Sequence, residues 1–369
     1  MTYIWETLEF EEMIQSALVR DLHKTHGDAR FGYYTTARKH LLEDVLEEIK
    51  RIQPNMTDHG PRHIRDVLQN MRDLLGTSVG DWDNELKTLT EAGLNGVELY
   101  ILGLSALFHD VGNVFERDQH QIQIAPIYDL AMPNNGGNQD VEQKQLVLDI
   151  CKAHCGEGFD GSKNTLQFVS DRSKIERKEI HPNMLAPILR FADELAEGEQ
   201  RTSRFMIKQH EYPNKSIQFH RYAVSSNVDI DRAHGRIRLK YHITLRLPQD
   251  PDNDSSLDHG PVISTRSLKP FLAFVYRRIE KVNQERQYAK HYCSLLAPFK
   301  ETSASFVFWY KKREIPVGLP PVMFSDLVVP GDPQKGVVER NSEYKQVDLI
   351  RKLSVAIETM NDQNGEDHS

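Results

Sequence analysis

Residues 97–113 read VELYILGLSALFHDVGN. From Val97 to Phe108 the stretch is almost wholly apolar, which predicts a helix buried on most sides. It ends on His109-Asp110, followed by Val111 and Gly112. Adjacent side chains cannot share one helix face, but at a helix terminus both can turn toward one point. An imidazole beside a carboxylate at the end of a buried helix is the arrangement a divalent metal needs, provided that further His or Asp groups arrive from other segments.

Working outward, the flanking segments also read as helices. Residues 3–52 carry Leu8, Met13, Ile14, Ala17 and Leu18 at near-helical spacing, then Leu41, Leu42, Val45, Leu46, Ile49 and Ile52 as a second stripe. Asp58-His59-Gly60-Pro61 is a helix start, with a capping residue and an early proline. Ile64, Val67, Leu68, Met71, Leu74 and Leu75 mark that helix's buried face. Past the His-Asp pair, residues 141–154 and about 184–197 predict two more helices, the second with Pro187 obscuring its start.

The pattern changes after about residue 205. Ile217 and Phe219, then Ile237, Leu239, Tyr241, Ile243, Leu245 and Leu247, alternate with polar residues and predict a strand pair, with a turn at Asp231–Gly235. A polar loop over 249–260 precedes a helix marked by Leu268, Phe271, Leu272, Val275, Ile279 and Val282. Ser305–Tyr310 predicts a strand, 316–332 an extended stretch and 344–360 a closing helix. The sequence therefore predicts a mainly α protein: a helical core over 1–205, a smaller α+β accessory region over 206–360, and a disordered tail over 361–369.

Composition narrows the function. The chain has 369 residues and a formal net charge of −8, enough length for a sizeable core and a balance that argues against coating extended nucleic acid. Its three cysteines, Cys151, Cys155 and Cys293, make no disulfide framework and fit a reducing cytoplasm. The start MTYIWETLEFEEM lacks a basic segment followed by an apolar run, so no signal peptide is expected, and no stretch is long and apolar enough for a membrane span.

Six side chains are candidates for a metal site: His63, His109, Asp110, His120, His154 and Asp193. Asp193 sits within ILRFADELA, where an unpaired carboxylate would be costly to bury. Taken singly, His59, His181, His210 and His220 read as caps or satisfied polar groups. His59 and His63 have i, i+4 spacing but lack the Glu of H-E-x-x-H, so a zincin is disfavoured. Cys151, His154 and Cys155 suggest a structural zinc only weakly, since no second paired set exists. No P-loop, dinucleotide fingerprint or nucleophile elbow is present. Lys311-Lys312-Arg313 is a short basic run that reads as a solvated strand end.

HGPRHIRDVL, LSALFHDVGN and LAPILRFADELAEG together resemble the HD superfamily of metal-dependent phosphohydrolases, whose signature is His, then His-Asp, then Asp on successive helices. The resemblance spans about residues 57–198, and the later strands and closing helix resemble the HD-CE type. It implies a helical HD-type core with His63, His109, Asp110 and Asp193 as ligands. His120 and His154 suit the extra positions of two-metal branches. Some relatives carry two adjacent His at the later site, where this chain has Cys155. The resemblance further implies one or two divalent ions (Mn, Fe, Mg, Ni or Zn) that activate water, with Asp110 and His120 as catalytic groups. Arg62, which flanks His63, and Arg117 lie near ligands in the sequence and are candidate cations for a phosphate. The implied substrate is a nucleotide, with a deoxynucleoside triphosphate or related nucleotide favoured. A cyclic nucleotide, or a nucleotide-sensing role in a multi-protein, defence-related system, is the alternative. A homo-oligomer or protein partner is compatible with this reading.

Overall fold

The computed structural model describes residues 5–53, 55, 57–82, 85–90, 93–115, 120–132, 138–158, 161–208, 212–213, 216–250, 260–326 and 335–366. Arg117, His210 and most of the polar 249–260 loop lie outside them. Two compact units emerge. The first comprises Met1–Pro54, Asp58–Ala196 and Gln287–Phe299, and the second comprises Asn55–Thr57, Glu197–Arg286 and Lys300–Ser369.

The first unit opens with α1 (Glu9–Leu22), α2 (Lys24–Asp44), α3 (Leu46–Ile52) and α4 (Pro61–Leu75). A hairpin, β1 (Thr77–Trp82) and β2 (Glu85–Thr90), leads to α5 (Gly96–Phe108). Then come α6 (Ile124–Ala131), α7 (Asn138–Ala153), a short hairpin of β3 (Ser173–Ile175) and β4 (Lys178–Ile180), and α8 (Pro182–Glu194). Every residue of α5 is buried, and α1, α2, α4, α7 and α8 all pack on it. That explains its apolar composition: a helix surrounded by others has no face left for water. Asn95 starts α5, accepting from the Val97 and Glu98 amides at 3.0 Å, while the Glu98 carboxylate accepts from the Asn95 amide.

Pro61 is the first residue of α4, where its missing N–H costs nothing. His63 falls on the same buried face as Val67, Leu68 and Met71. α8 begins at Pro182 and carries Pro187 inside, so the helix starts earlier than residue 184 and is not broken by its second proline.

In the second unit, α9 (Arg204–Lys208) and α10 (Ile217–Ser225) precede β5 (Ser226–Asp231) and β6 (Arg236–Thr244). Ile217 and Phe219 thus lie on a helix, not on the strand their alternation predicts; two apolar residues two apart are too few to fix a period. α11 (Leu268–Tyr292) carries the chain from β6 to β7 (Glu301–Tyr310), which pairs parallel to β6 from Arg236↔Glu301 to Thr244↔Trp309. β8 (Arg313–Glu314) and β9 (Val322–Ser325) both pair antiparallel with β7, completing a five-stranded sheet where the sequence predicts a strand pair and the strand at Ser305–Tyr310 without joining them. α12 (Val337–Arg340) and α13 (Gln346–Glu366) close the chain. The helix of α13 continues through most of the 361–369 segment expected to be a disordered tail.

The unit boundary falls at Ala196 rather than 205, and Gln287–Phe299 belongs to the first unit. Within that unit, Tyr288 accepts from the Leu166 amide at 2.9 Å, and the Tyr288 and Tyr292 hydroxyls donate to the Asn164 side chain at 2.9 and 2.8 Å. Contacts over such sequence separations leave no local pattern. The molecule is mainly α with a C-terminal α+β portion. Among the described residues, no helix is long and apolar enough to cross a membrane.

Candidate metal centre

α5 delivers the pair at the heart of the site. His109 caps the helix, its amide still bonded to the Ser105 carbonyl, and Asp110 turns out of it. The His109 ring donates Nδ1–H to the Ala106 carbonyl at 2.9 Å. A carbonyl can only accept, so in the neutral ring the Nε2 lone pair faces away from α5. His63 and Asp193 arrive from α4 and α8, two helices that pack together.

His63 Nε2 lies 3.2 Å from Asp193 Oδ1 and 3.5 Å from Asp110 Oδ2. His109 Nε2 lies 3.3 Å from Asp110 Oδ2 and 3.7 Å from Asp193 Oδ1, and the two Nε2 atoms are 3.3 Å apart. Most of these distances are long for charge-assisted hydrogen bonds, which run about 2.7–2.9 Å. They match the edges of a ligand polyhedron, roughly 3.3 Å for donors about 2.0–2.1 Å from one tetrahedral ion. His63 Nδ1 is buried without a hydrogen-bond partner, so this ring's polar contacts all lie on its Nε2 side, toward the cluster. One donor atom from each of His63, His109, Asp110 and Asp193 lies within 4.8 Å of every other, and the group can hold a metal ion.

The other oxygen of Asp110 faces a second group. Oδ1 lies 3.5 Å from His120 Nε2 and 3.7 Å from His154 Nε2. His120 opens a short turn, His120–Ile122, and His154 follows the last residue of α7. His154 donates Nδ1–H to the Cys151 carbonyl, which turns its Nε2 toward Asp110. Cys155 Sγ stands 3.9 Å from His120 Nε2, and His120, His154 and Cys155 form a second set with donor atoms within 4.8 Å of one another. Asn113 donates Nδ2–H to Asp110 Oδ1 at 3.0 Å and holds the carboxylate so that its two oxygens face the two groups.

The side chains of His63 and His109 are fully buried and Asp110 is 8% exposed, whereas Asp193 is 27% exposed, so the first group meets solvent on the Asp193 side. Burial opposes charge on all of these groups, yet their mutual attraction prevails. Burial pulls His109 down, but Asp110 and Asp193 outweigh it and lift the imidazolium to about 9. Burial would raise Asp110, but His109 and His59 hold its carboxyl well below the ordinary range. Asp193 is likewise held low by His109 and His63 against burial. Burial pushes the Cys155 thiol up, while His154 and His120 bring it down to about 6. The centre thus attracts positive charge strongly, and a proton on an imidazole competes with a metal ion for the same donors.

All six histidine and aspartate candidates converge here. Arg62 is exposed in the first turn of α4. Two residues join the cluster that the sequence singled out for nothing or for doubt. His59 Nε2 lies 3.8 Å from Asp110 Oδ2, with its ring 5.2 Å from that of His63, and Cys155 stands in the second group. The i, i+4 spacing of His59 and His63 was the available signal for the first.

The HD-CE family model matches residues 53–246, just over half of the chain. This chain belongs to the HD-CE family. The matched segment of the HD-CE protein runs from just before α4 through β6 and contains every member of both groups. No curated protein and no solved structure matches it.

Proposed function

We propose that this HD-CE protein is a metal-dependent phosphohydrolase acting on a nucleotide, with a deoxynucleoside triphosphate or a related nucleotide as the favoured substrate. The observation that carries the reading is the division of Asp110: Oδ2 faces His63 and His109, and Oδ1 faces His120 and His154. A carboxylate shared between two donor sets suits a two-ion centre, the arrangement used for in-line displacement at phosphorus. When bound, divalent ions supply Lewis acidity and acidify a water from pKa ~16 toward ~7.

The chain's own residues set the geometry for that chemistry. His63, His109, Asp110 and Asp193 hold the first site; His120 and His154, with the second Asp110 oxygen, frame the other. The Ala106 and Cys151 carbonyls fix two imidazoles in the Nδ1–H form, and Asn113 keeps Asp110 from rotating. The buried α5 walls the rear of the centre against water, leaving approach on the Asp193 side, and Arg62 is the exposed cation next in sequence to His63.

The test is phosphate and nucleoside release from a nucleotide panel with Mn²⁺, run beside Asp110→Ala. The panel holds deoxy- and ribonucleoside triphosphates, monophosphates, cyclic mono- and dinucleotides and single-stranded nucleic acid. Turnover of a triphosphate or related nucleotide that vanishes in the variant supports the proposal. Turnover confined to cyclic nucleotides replaces the substrate class. No turnover, or equal turnover in the variant, sinks the enzyme reading and leaves a nucleotide-sensing module.

A further inference from the structure

The two donor groups sharing Asp110 are not chemically alike. The first contains only imidazole nitrogens and carboxylate oxygens, while the second brings a sulfur beside two imidazoles. We propose that Cys155 is a thiolate ligand of the second site, so that this site selects a thiophilic ion such as Zn²⁺ while the His63–His109–Asp110–Asp193 site remains open to harder ions. The proposal rests on the reading of the centre as metal-holding and deepens it.

Geometry supports sulfur as a ligand rather than a bystander. Cys155 Sγ is 3.9 Å from His120 Nε2, close to the roughly 3.6 Å expected between N and S donors about 2.0 and 2.3 Å from one tetrahedral ion. Asp110 Oδ1, at 3.5 and 3.7 Å from the two imidazoles, supplies a fourth donor. With His154 Nε2 turned to Asp110 and Cys155 Sγ beside His120 Nε2 and 3.9 Å from His154 Nδ1, two imidazoles, a thiolate and a carboxylate would make a tetrahedral zinc set once the thiol turns toward Asp110. The other cysteines have no such place. Cys151 is buried and turned to the Ser105 carbonyl at 3.4 Å, and Cys293 is buried and in neither group.

The backbone of Cys155 is also held firmly. Its carbonyl accepts from Nη1 of the buried Arg190, which also donates to Thr165 Oγ1 at 2.9 Å and lies over the Tyr288 ring at 5.0 Å. Thr165 in turn donates to the Ala153 carbonyl at 2.7 Å. Arg190 sits three residues before Asp193 on α8, so one helix supplies a ligand to the first site and the anchor beneath the second. An inert structural cysteine lies in an apolar wall; this one is half-buried and faces imidazole nitrogens. Soft thiolates favour zinc over manganese or magnesium, which take carboxylate, imidazole and water. Binding releases the thiol proton to solvent as the S–metal bond forms, with no change of oxidation state.

The test is Co²⁺ titration of the full-length protein, followed by near-ultraviolet absorption and by metal content. The expected result is a thiolate-to-Co²⁺ charge-transfer band that is lost in Cys155→Ser and kept in Cys293→Ala. Cys155→His is expected to keep the second ion while losing the band, so the result stands even where the serine variant folds poorly. Two bound ions without the band, or a band unchanged in Cys155→Ser or Cys155→His, overturns the proposal and leaves the two-ion reading intact. One bound ion without the band overturns it while the first site stands. No bound ion overturns both.

Discussion

Asn113 spends its side-chain amide on the Asp110 oxygen that faces His120 and His154. Removing that donor in Asn113→Ala frees the carboxylate to rotate. Metal affinity of the second site should then fall about 10–100-fold, the usual effect of losing an outer partner, with circular dichroism unchanged. Competition titration with a chromophoric chelator measures it, and an unaltered affinity removes Asn113 from the account. The raised His109 sets a pH dependence. Its proton must leave for Nε2 to bind metal, so affinity at the first site should climb about tenfold per pH unit and level off above about 9. The metal-free protein carries a pH dependence of its own through linkage. The raised His109 contributes stability that is complete below about 6.5 and is lost as pH rises through about 9. The lowered Asp110 and Asp193 contribute stability present above about 4 and lost as pH falls through their depressed values. Thermal melts in chelator should therefore weaken from pH 6.5 to 9, and a flat profile there contradicts the ion-pairing of His109. At this scale the sequence shows groups that need a partner: a carboxylate inside ILRFADELA and a His-Asp pair after a buried helix. It shows His59 only through its i, i+4 spacing to His63, and the residue reads as an ordinary cap before α4 until the fold brings it to 3.8 Å from Asp110.

Elements place those residues through a few tight fits. A Cβ on Gly112 would lie 1.9 Å from the His120 carbonyl oxygen, so the chain after the His-Asp pair can pass the His120 turn only with glycine there. Gly112→Ala should push the His120 turn away, destabilise the protein by about 1–3 kcal/mol and weaken the second site before the first. Denaturant unfolding and metal stoichiometry check both parts; full binding at both sites contradicts the placement of His120. Asn95→Ala removes the cap of α5 and should cost about 1 kcal/mol while leaving metal stoichiometry unchanged. Long periodic helices such as α4 and α11 were legible because their buried faces recur over several turns. The hairpin of β1 and β2 was not: TSVGDW and ELKTLT carry a glycine and charges where a strand signal needs sustained alternation. Ile217 and Phe219 of α10 read as strand because a nine-residue helix burying His220, Tyr222 and Ala223 leaves too short a pattern to separate from one.

At the scale of the molecule, the mainly α character was legible from helical stripes, but the partition into units was not. β8 and β9 follow β7 and pair back on it, whereas β6 and β7 pair in parallel across the long α11. Such pairings are chosen by packing between distant segments, and strand-like alternation in 237–247 cannot name its partner. Metal should be part of the folded state's stability. Four helices of the first unit and the His120 turn feed the centre, so an ion bound at a hundred times its dissociation constant adds about 2.7 kcal/mol. The melting temperature should therefore drop on chelation and rise again with added Zn²⁺ or Mn²⁺ in a concentration-dependent way. The most direct test of the shared-carboxylate centre is the number of divalent ions retained per chain after equilibrium dialysis, measured for the native protein and three variants. Two ions should bind the native protein, one should remain in Asp193→Ala and one in His120→Ala, and both should be lost or greatly weakened in folded Asp110→Ala. Two ions retained in Asp110→Ala, or none in the native protein, contradicts the account.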